Sequence, residues 1–432
     1  MKRKIEKKLL EWKNKTADRK PLIVNGARQV GKTYILRKFG AEQFANTVYV
    51  NLEQNRMIAS YFEENLSPEH IIRYLEASVG ERIIPGQTLI ILDEIQSSER
   101  ALTSLKYFCE EAPEYHIACA GSLLGVAINR KNYSYPVGKI ETITLYPFDF
   151  EEYLWARGKQ ILADEILHAY ESVKPLPEGL HKEAIQLYRD YLIIGGMPAA
   201  IRSFLQTGSF IDVQQTQTEI LDNYIADMAK YAENSESVKI RACYHSIPAQ
   251  LAKENKKFQY KIVQKGGSAA LFGASIEWLN LAGVVLKCQR IQAAMEPLSI
   301  YADLSAFKLY MGDVGLLVAK SGLSIATVLN GDNNIFMGAV AENYVAQQIM
   351  SLGYSLYYWE SDSTAEVDFV LQKENKICGV EVKAGEHVRS RSLSVFKEKY
   401  QPDSCIRFSL RNFGEKDGTK NIPLYAVFCL SR

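Results

Sequence analysis

No stretch of the 432-residue chain approaches the ~18 consecutive apolar residues that a membrane-spanning helix needs, so no bilayer-embedded segment is expected. The N-terminal "MKRKIEKKLLEWKNK" is basic but has no apolar stretch after it, which argues against a signal peptide. Seven cysteines are scattered without C-x-x-C spacing and mostly inside apolar runs, so neither a zinc ribbon nor a disulfide framework is expected, and reduced thiols in a cytoplasmic protein are. The six histidines form no pair at metal-ligand spacing, and no Ser/His/Asp or Cys/His arrangement is legible; His387 is the one that could approach the C-terminal site discussed below. Net charge is lacking too: 51 Lys and Arg stand against 50 Asp and Glu, so any nucleic-acid surface must be local.

What is present is an ordinary folding composition, 47% hydrophobic and 23% charged, over a length that accommodates roughly two to four domains. The first fifteen residues hold seven Lys or Arg, with Ile5, Leu9 and Trp12 at helical spacing, and read as an amphipathic helix docked on the body. "PLIVNGARQVGKTYILRKF" then runs from a buried-type strand, Leu22 to Asn25, through a glycine loop into a helical pattern. This is the context that a phosphate loop requires. Gly26 and Gly31 let the backbone turn its N–H groups inward, and the segment Gly26, Ala27, Arg28, Gln29, Val30, Gly31 would wrap a triphosphate at the positive end of the next helix. Lys32 would reach the outer phosphates and Thr33 would offer a hydroxyl to Mg²⁺.

A second element makes the loop specific. "TLIILDEIQ" buries as a central parallel strand and places Asp93 and Glu94 at its carboxyl end, where ligands bind in open α/β sheets. Asp93 would help hold Mg²⁺ and Glu94 would orient or deprotonate the attacking water. Further strands of the same sheet are expected at 47–53, 116–122 and 141–147. Ser122, ending one of them, reads either as a γ-phosphate sensor or as a helix cap.

"GARQVGKT", "LIILDEIQ", "AGSLLG", "GKIETITLYPFDFEEYL" and "YLIIGGMPAAI" together resemble the prokaryotic AAA+-type ATPases that precede an uncharacterised C-terminal domain in a two-part family. The resemblance implies ATP and Mg²⁺ as cofactors and a possible homo-oligomer. The chain departs from it at Gly138-Lys139, where Gly-Arg is common. A lysine cannot fork onto two phosphate oxygens, and Arg28 and Arg130 are weaker stand-ins for an arginine finger.

Gly195, Gly196 and Pro198 mark a helix stop, and 210–232 repeats Ile220, Tyr224, Met228 and Tyr231 at helical spacing, as a lid or connector would. "NSES" at 234–237 reads as a linker. Three short helices and the strand "VVLKCQRI" follow, an order that resembles a winged helix. Its would-be reading helix, "SAALFGASIEWLNLAG", offers almost no side chains that read bases, while Lys253, Lys256, Lys257, Lys261 and Lys265 before it could touch phosphates.

Near the end, "EVDFVLQKENKICGVEVKAG" reads as a hairpin. With the turn at 373–376, Asp368 falls opposite Glu381 and Glu366 opposite Lys383, and strict alternation puts all four on one face. Opposed carboxylates repel unless a cation joins them, and oxygen ligands suit Mg²⁺ or Mn²⁺. Alternatively Glu366 and Lys383 form a cross-strand ion pair on a solvated face. A helical Glu342 in "MGAVAENYVAQQI", then Asp368, then Glu381-x-Lys383 resembles the PD-(D/E)XK nuclease superfamily, which implies Glu342, Asp368 and Glu381 as metal ligands and Glu381 and Lys383 as catalytic groups.

The expected protein is therefore α/β: a P-loop NTPase parallel sheet (1–160), a helical lid (161–233), a winged-helix-like module (234–310) and a PD-(D/E)XK-like α/β domain (311–432). It would be an ATPase whose nucleotide state controls a nuclease-like domain on DNA or RNA. The alternative is a nucleotide-gated interaction or DNA-binding regulatory protein that cuts nothing and answers to a protein or nucleic-acid partner.

Overall fold

In the computed structural model the described residues are 1–121, 136–230, 234–331, 334–361, 365–385 and 391–431. The chain forms two compact units, Lys2–Tyr146 with Leu281–Gly283, and Pro147–Asn280 with Val284–Arg432.

The first unit runs α1 (Ile5–Lys13), β1 (Leu22–Asn25), α2 (Lys32–Gln43), β2 (Asn46–Asn51), α3 (Arg56–Glu64), α4 (Pro68–Val79), β3 (Thr88–Asp93), α5 (Glu99–Glu111), β4 (His116–Ala120) and β5 (Glu141–Thr144). Its five strands are all parallel in the order β2-β3-β4-β1-β5. Both faces of the sheet are covered. Ile23, Val50, Ile90 and Leu92 pack with α3, α4 and α5, while Leu22, Val24, Leu89 and Ile91 pack with α1 and α2. That is why β1 and β3 read as unbroken apolar runs rather than alternating ones. Ile5, Leu9 and Trp12 of α1 are buried as the helical spacing predicts.

The second unit opens with helices α6 (Phe150–Ala156), α7 (Gln160–Ser172), α8 (Glu178–Ile194), α9 (Pro198–Thr207) and α10 (Phe210–Lys230). α8 stops at Gly195, and Pro198 starts α9, where a missing N–H costs nothing. The turn between them is fastened by buried Asp313, which accepts from Gly196 N at 2.6 Å and caps a later helix through Leu316 N at 3.0 Å. Then come α11 (Asn234–Leu251), α12 (Tyr260–Val263), α13 (Ala269–Leu281), β6 (Val285–Ile291), β7 (Ala302–Met311), α14 (Val314–Ser321), α15 (Ile325–Asn330), α16 (Ile335–Ser351), β8 (Tyr357–Glu360), β9 (Glu366–Lys373), β10 (Lys376–Val382), α17 (Ser392–Tyr400), β11 (Ser404–Ser409), β12 (Gly414–Lys416) and β13 (Thr419–Pro423).

Two expectations are corrected here. The "NSES" segment at 234–237 is no linker: it begins α11, where Glu236 accepts from Ser275 Oγ at 2.6 Å. β6 is not the wing of a separate module either. It pairs with β7 and β8 inside one eight-stranded mixed sheet, β12-β13-β11-β10-β9-β8-β6-β7. Pairing to strands on both sides satisfies more backbone groups than a two-stranded wing would. Among the described residues no helix is long and apolar enough to cross a membrane.

Candidate functional site

The phosphate-type loop is shaped by glycine. Gly26 has φ 151°, and a Cβ there would stand 2.2 Å from the carbonyl oxygen of Leu145; Gly31 has φ 97°, a left-handed conformation that ends the loop at the start of α2. Gln29 also takes a positive φ, 64°, on the exposed rim of the loop. Ala27 and Val30 are buried beneath it and Arg28 is half-buried. Lys32 Nζ donates to Gly26 O at 3.0 Å and Ala27 O at 2.9 Å, so its ammonium sits at the loop itself.

Across from the loop, Thr33 Oγ1 donates to Asp93 Oδ2 at 3.0 Å. The two residues are 60 positions apart in sequence, and the sheet joins them because β1 and β3 both end on its carboxyl edge. Asp93 is 5% exposed and well supplied with donors: Tyr49 OH reaches Oδ2 at 2.8 Å and Glu94 N reaches Oδ1 at 3.1 Å. Burial, and next the hydrogen bond to Asp93, push the Tyr49 hydroxyl above the usual phenol range, so it stays a donor. A hydroxyl and a carboxylate converging beside the glycine-shaped loop are hard oxygen donors of the kind that Mg²⁺ takes, and the residues present fit that ion. Glu94 follows with φ 51°, its carboxylate accepting from the Gln96 side chain. Gln96 Oε1 is buried without a partner among the described residues.

Lys139, which stands where the resembling ATPases commonly carry arginine, is paired with Glu110 at 2.9 Å. Ser122, Arg130 and His387 lie outside the described residues.

The C-terminal constellation is rearranged. The hairpin register holds as the sequence predicts from Lys373↔Lys376 to Phe369↔Val380, and Val367, Phe369, Val380 and Val382 are buried. Toward the start of β9 the pairing becomes irregular: the register of β8 against β9 slips by one between Tyr357↔Val370 and Trp359↔Val367. Alternation therefore breaks. Val367 packs with Leu393 and Phe396 of α17, whereas Phe369 lies against Tyr310, ring centroids 5.8 Å apart. Asp368 at the break accepts from Val382 N at 2.7 Å.

The expectation of four charged side chains on one face is thus corrected. Glu366 joins Glu342 of α16 around two lysines: Lys256 Nζ lies 2.5 Å from Glu342 Oε1, and Lys308 Nζ is bonded to Glu366 and 3.9 Å from Glu342 Oε2. Tyr310 OH adds a donor to Glu342 at 3.3 Å. Glu381 instead meets Arg407 of β11 at 2.7 Å, with Lys383 3.4 Å away. Gly379, two residues earlier, backs onto Phe396, so Glu381 stands on the α17 side. Among the described residues no three His, Cys, Asp or Glu side chains are placed to share a metal ion. Glu342, Asp368 and Glu381 do not fit as a ligand set.

The electrostatics follow the pairing. Burial alone would raise the Glu342 carboxyl, but the ammonium groups of Lys256 and Lys308 outweigh it and hold it below the ordinary range. Lys308, 1% exposed at its side chain, is held protonated against burial by Glu366, Glu342 and Asp368. Asp368, lacking a lysine of its own, is pushed up to about 7, first by burial and next by the charge of Glu342. An unfolded aspartate titrates near ~3.9, so the folded chain binds the extra proton. This contribution to stability is full below ~4 and is lost as pH rises through about 7. Asp368→Asn should therefore stabilise the second unit more at pH 8 than at pH 5, read as urea midpoints at the two pH values.

Residues 18–154 match a protein family described as AAA domain. Residues 185–326 and 337–427 match two families described as domains of unknown function, DUF8612 and DUF4143. No curated protein matches the chain. Among solved structures, the Walker-type ATPase PABY2304 of Pyrococcus abyssi is 14% identical, with 74% of this chain and 95% of that one covered and a TM-score of 0.45. The Aeropyrum pernix ORC2 protein is 14% identical over 76% and 92% of the two chains, TM-score 0.38. AMPPCP-bound DnaA from Aquifex aeolicus is 16% identical over 64% of this chain and 86% of its own, TM-score 0.28. The AAA domain match spans the loop, Thr33, Asp93 and Glu94 together.

Sequence reasoning missed Tyr49, Gln96, Lys308 and Arg407. Lys308 had a signal, since a lysine inside the apolar strand "AFKLYM" must find a carboxylate to be buried. Tyr49 had none beyond its place on a strand beside β3. Tyr49→Phe should raise the Mg²⁺ concentration needed for half-maximal ATP turnover several-fold while leaving ATP affinity in place, because it removes only one of Asp93's donors.

Proposed function

We propose that the first unit binds Mg-ATP and hydrolyses it. The observation that carries this reading is the 3.0 Å contact of Thr33 Oγ1 with Asp93 Oδ2 beside a glycine-shaped loop at a helix N-terminus. Lys32 and the loop amides from Gly26 to Gly31 would hold the β- and γ-phosphates, and Lys32 would offset charge that grows on the γ-phosphoryl oxygens in the transition state. Thr33 and Asp93 would hold a magnesium ion, which would supply positive charge against the phosphates. Glu94, released from Gln96, would orient the attacking water.

For the second unit, the reading that the geometry favours is a nucleotide-gated interaction domain that does not cut. Glu342, Glu366 and Glu381 are committed to lysine and arginine partners, and Asp368 accepts from Val382 N. Helix α13 buries Phe272, Ser275, Ile276, Trp278 and Leu279 and so packs rather than reads a groove. Lys253, Lys261 and Lys265 remain exposed and are available to an acidic partner or a nucleic-acid backbone. ATP and the partner would be coupled as two ligands of one conformational equilibrium.

The test is phosphate release by the full chain in Mg²⁺, with and without DNA or RNA, with nucleic-acid integrity followed in the same tubes. Mg²⁺-dependent turnover with intact nucleic acid is the expected result. No turnover under any condition would remove the ATPase, and Mn²⁺- or Mg²⁺-dependent cutting abolished by Asp368→Asn would replace the interaction domain by a nuclease.

A further inference from the structure

The structure assigns Lys256 and Lys308 the place that a divalent cation would take: we propose that the Glu342–Glu366–Asp368 cluster is a buried lysine–carboxylate clamp that binds no metal. The proposal sharpens the non-cutting reading of the second unit and is independent of whether the first unit hydrolyses ATP.

Three observations carry it. The first is occupancy: Lys256 sits 2.5 Å from one Glu342 oxygen and Lys308 3.9 Å from the other, so both oxygens that a cation would use already face an ammonium group. The second is delivery. Lys256 comes from the α11–α12 loop, and that loop is pinned: Phe258 N donates to Phe307 O at 2.8 Å, the two rings stack at 5.4 Å, and Gln250 and Gln259 exchange bonds at 3.0 Å. Lys308 belongs to β7 itself and is 1% exposed. Neither ammonium is on a free surface arm. The third is what is left over. Glu381, which would complete a ligand set, stands with Arg407 and Lys383 on the α17 side.

A buried carboxylate demands a counter-charge, and a lysine supplies one unit where a divalent ion supplies two. Facing Glu342 and Glu366, the two lysines together already supply the two units of positive charge that a divalent ion would bring to those carboxylates, and one Asp368 oxygen is taken by Val382 N. The cluster then ties four segments, the α11–α12 loop, β7, α16 and β9, into one body.

The experiment is a double-mutant cycle with a metal titration on the full chain. Lys256→Met and Glu342→Leu should each lower the melting temperature of the second unit by several degrees, and the double variant should recover most of the loss, since it removes both charges together. Mn²⁺ followed by its free-ion EPR signal, without nucleotide, should show no stoichiometric site that depends on Glu342. The proposal is overturned if the two losses simply add, or if the wild-type chain binds Mn²⁺ at a site that Glu342→Gln or Asp368→Asn abolishes.

Discussion

Lys32→Ala is expected to lower ATP turnover by about 10²–10³-fold, the usual cost of removing one preorganised charge from a transition state. The argument is geometric. Lys32 is bonded to the loop carbonyls, at Gly26 O and Ala27 O, and on the proposed reading the outer phosphates of a nucleotide would come to it there. Its loss should appear in both ATP affinity and rate, because the ammonium contacts the ground state as well as the transition state. Glu94→Gln separates the two. It keeps the shape and the contact with Gln96 but cannot take up a proton, so nucleotide binding, read by calorimetry, should persist while phosphate release falls ~10²–10⁴-fold. Equal turnover in wild type and Lys32→Ala would mean that any hydrolysis observed belongs to another protein.

The second large effect is on stability. Glu342→Ala should destabilise the second unit by about 3–5 kcal/mol, because Lys256 and Lys308 then keep their charges in a buried place without their shared carboxylate. Urea unfolding at neutral pH reads this directly. Glu381→Gln is the useful control: Glu381 is equally buried, but its partners Arg407 and Lys383 both reach solvent, whereas Lys308 beside Glu342 is 1% exposed and has none to turn to. A loss at Glu342 no greater than at Glu381 would show that the cluster is not the anchoring contact.

The nucleotide-type site was legible because its parts are local. The loop, Lys32 and Thr33 lie within eight residues, and Asp93 and Glu94 end an apolar run that can only be a covered parallel strand. The sheet supplied the rest of the geometry without any choice of register that could move Asp93 off the carboxyl edge. The C-terminal cluster was legible only in part. The hairpin register followed from the turn, but Glu366 and Glu381 part company over a one-residue slip against β8, and a neighbouring strand's register is not written in the hairpin. The lysines were hidden for a different reason: Lys256 and Lys308 are distant in sequence from Glu342, at separations of 86 and 34 positions by residue number, and only the folded sheet brings them to it. The absorbed β6 illustrates the same limit, since a short strand after three helices fits a wing or a sheet edge equally well until its partners are known.

Gly26 rests against the carbonyl of Leu145, and Tyr146 is the last residue of the first unit before the chain crosses into the second. The residue beneath Gly26 therefore stands next to the last residue of the first unit on that stretch of chain. Any side chain at Gly26 would have to push the Leu145 carbonyl aside, so the shape of the loop and the path of the chain at Leu145 are set by the same missing methyl group.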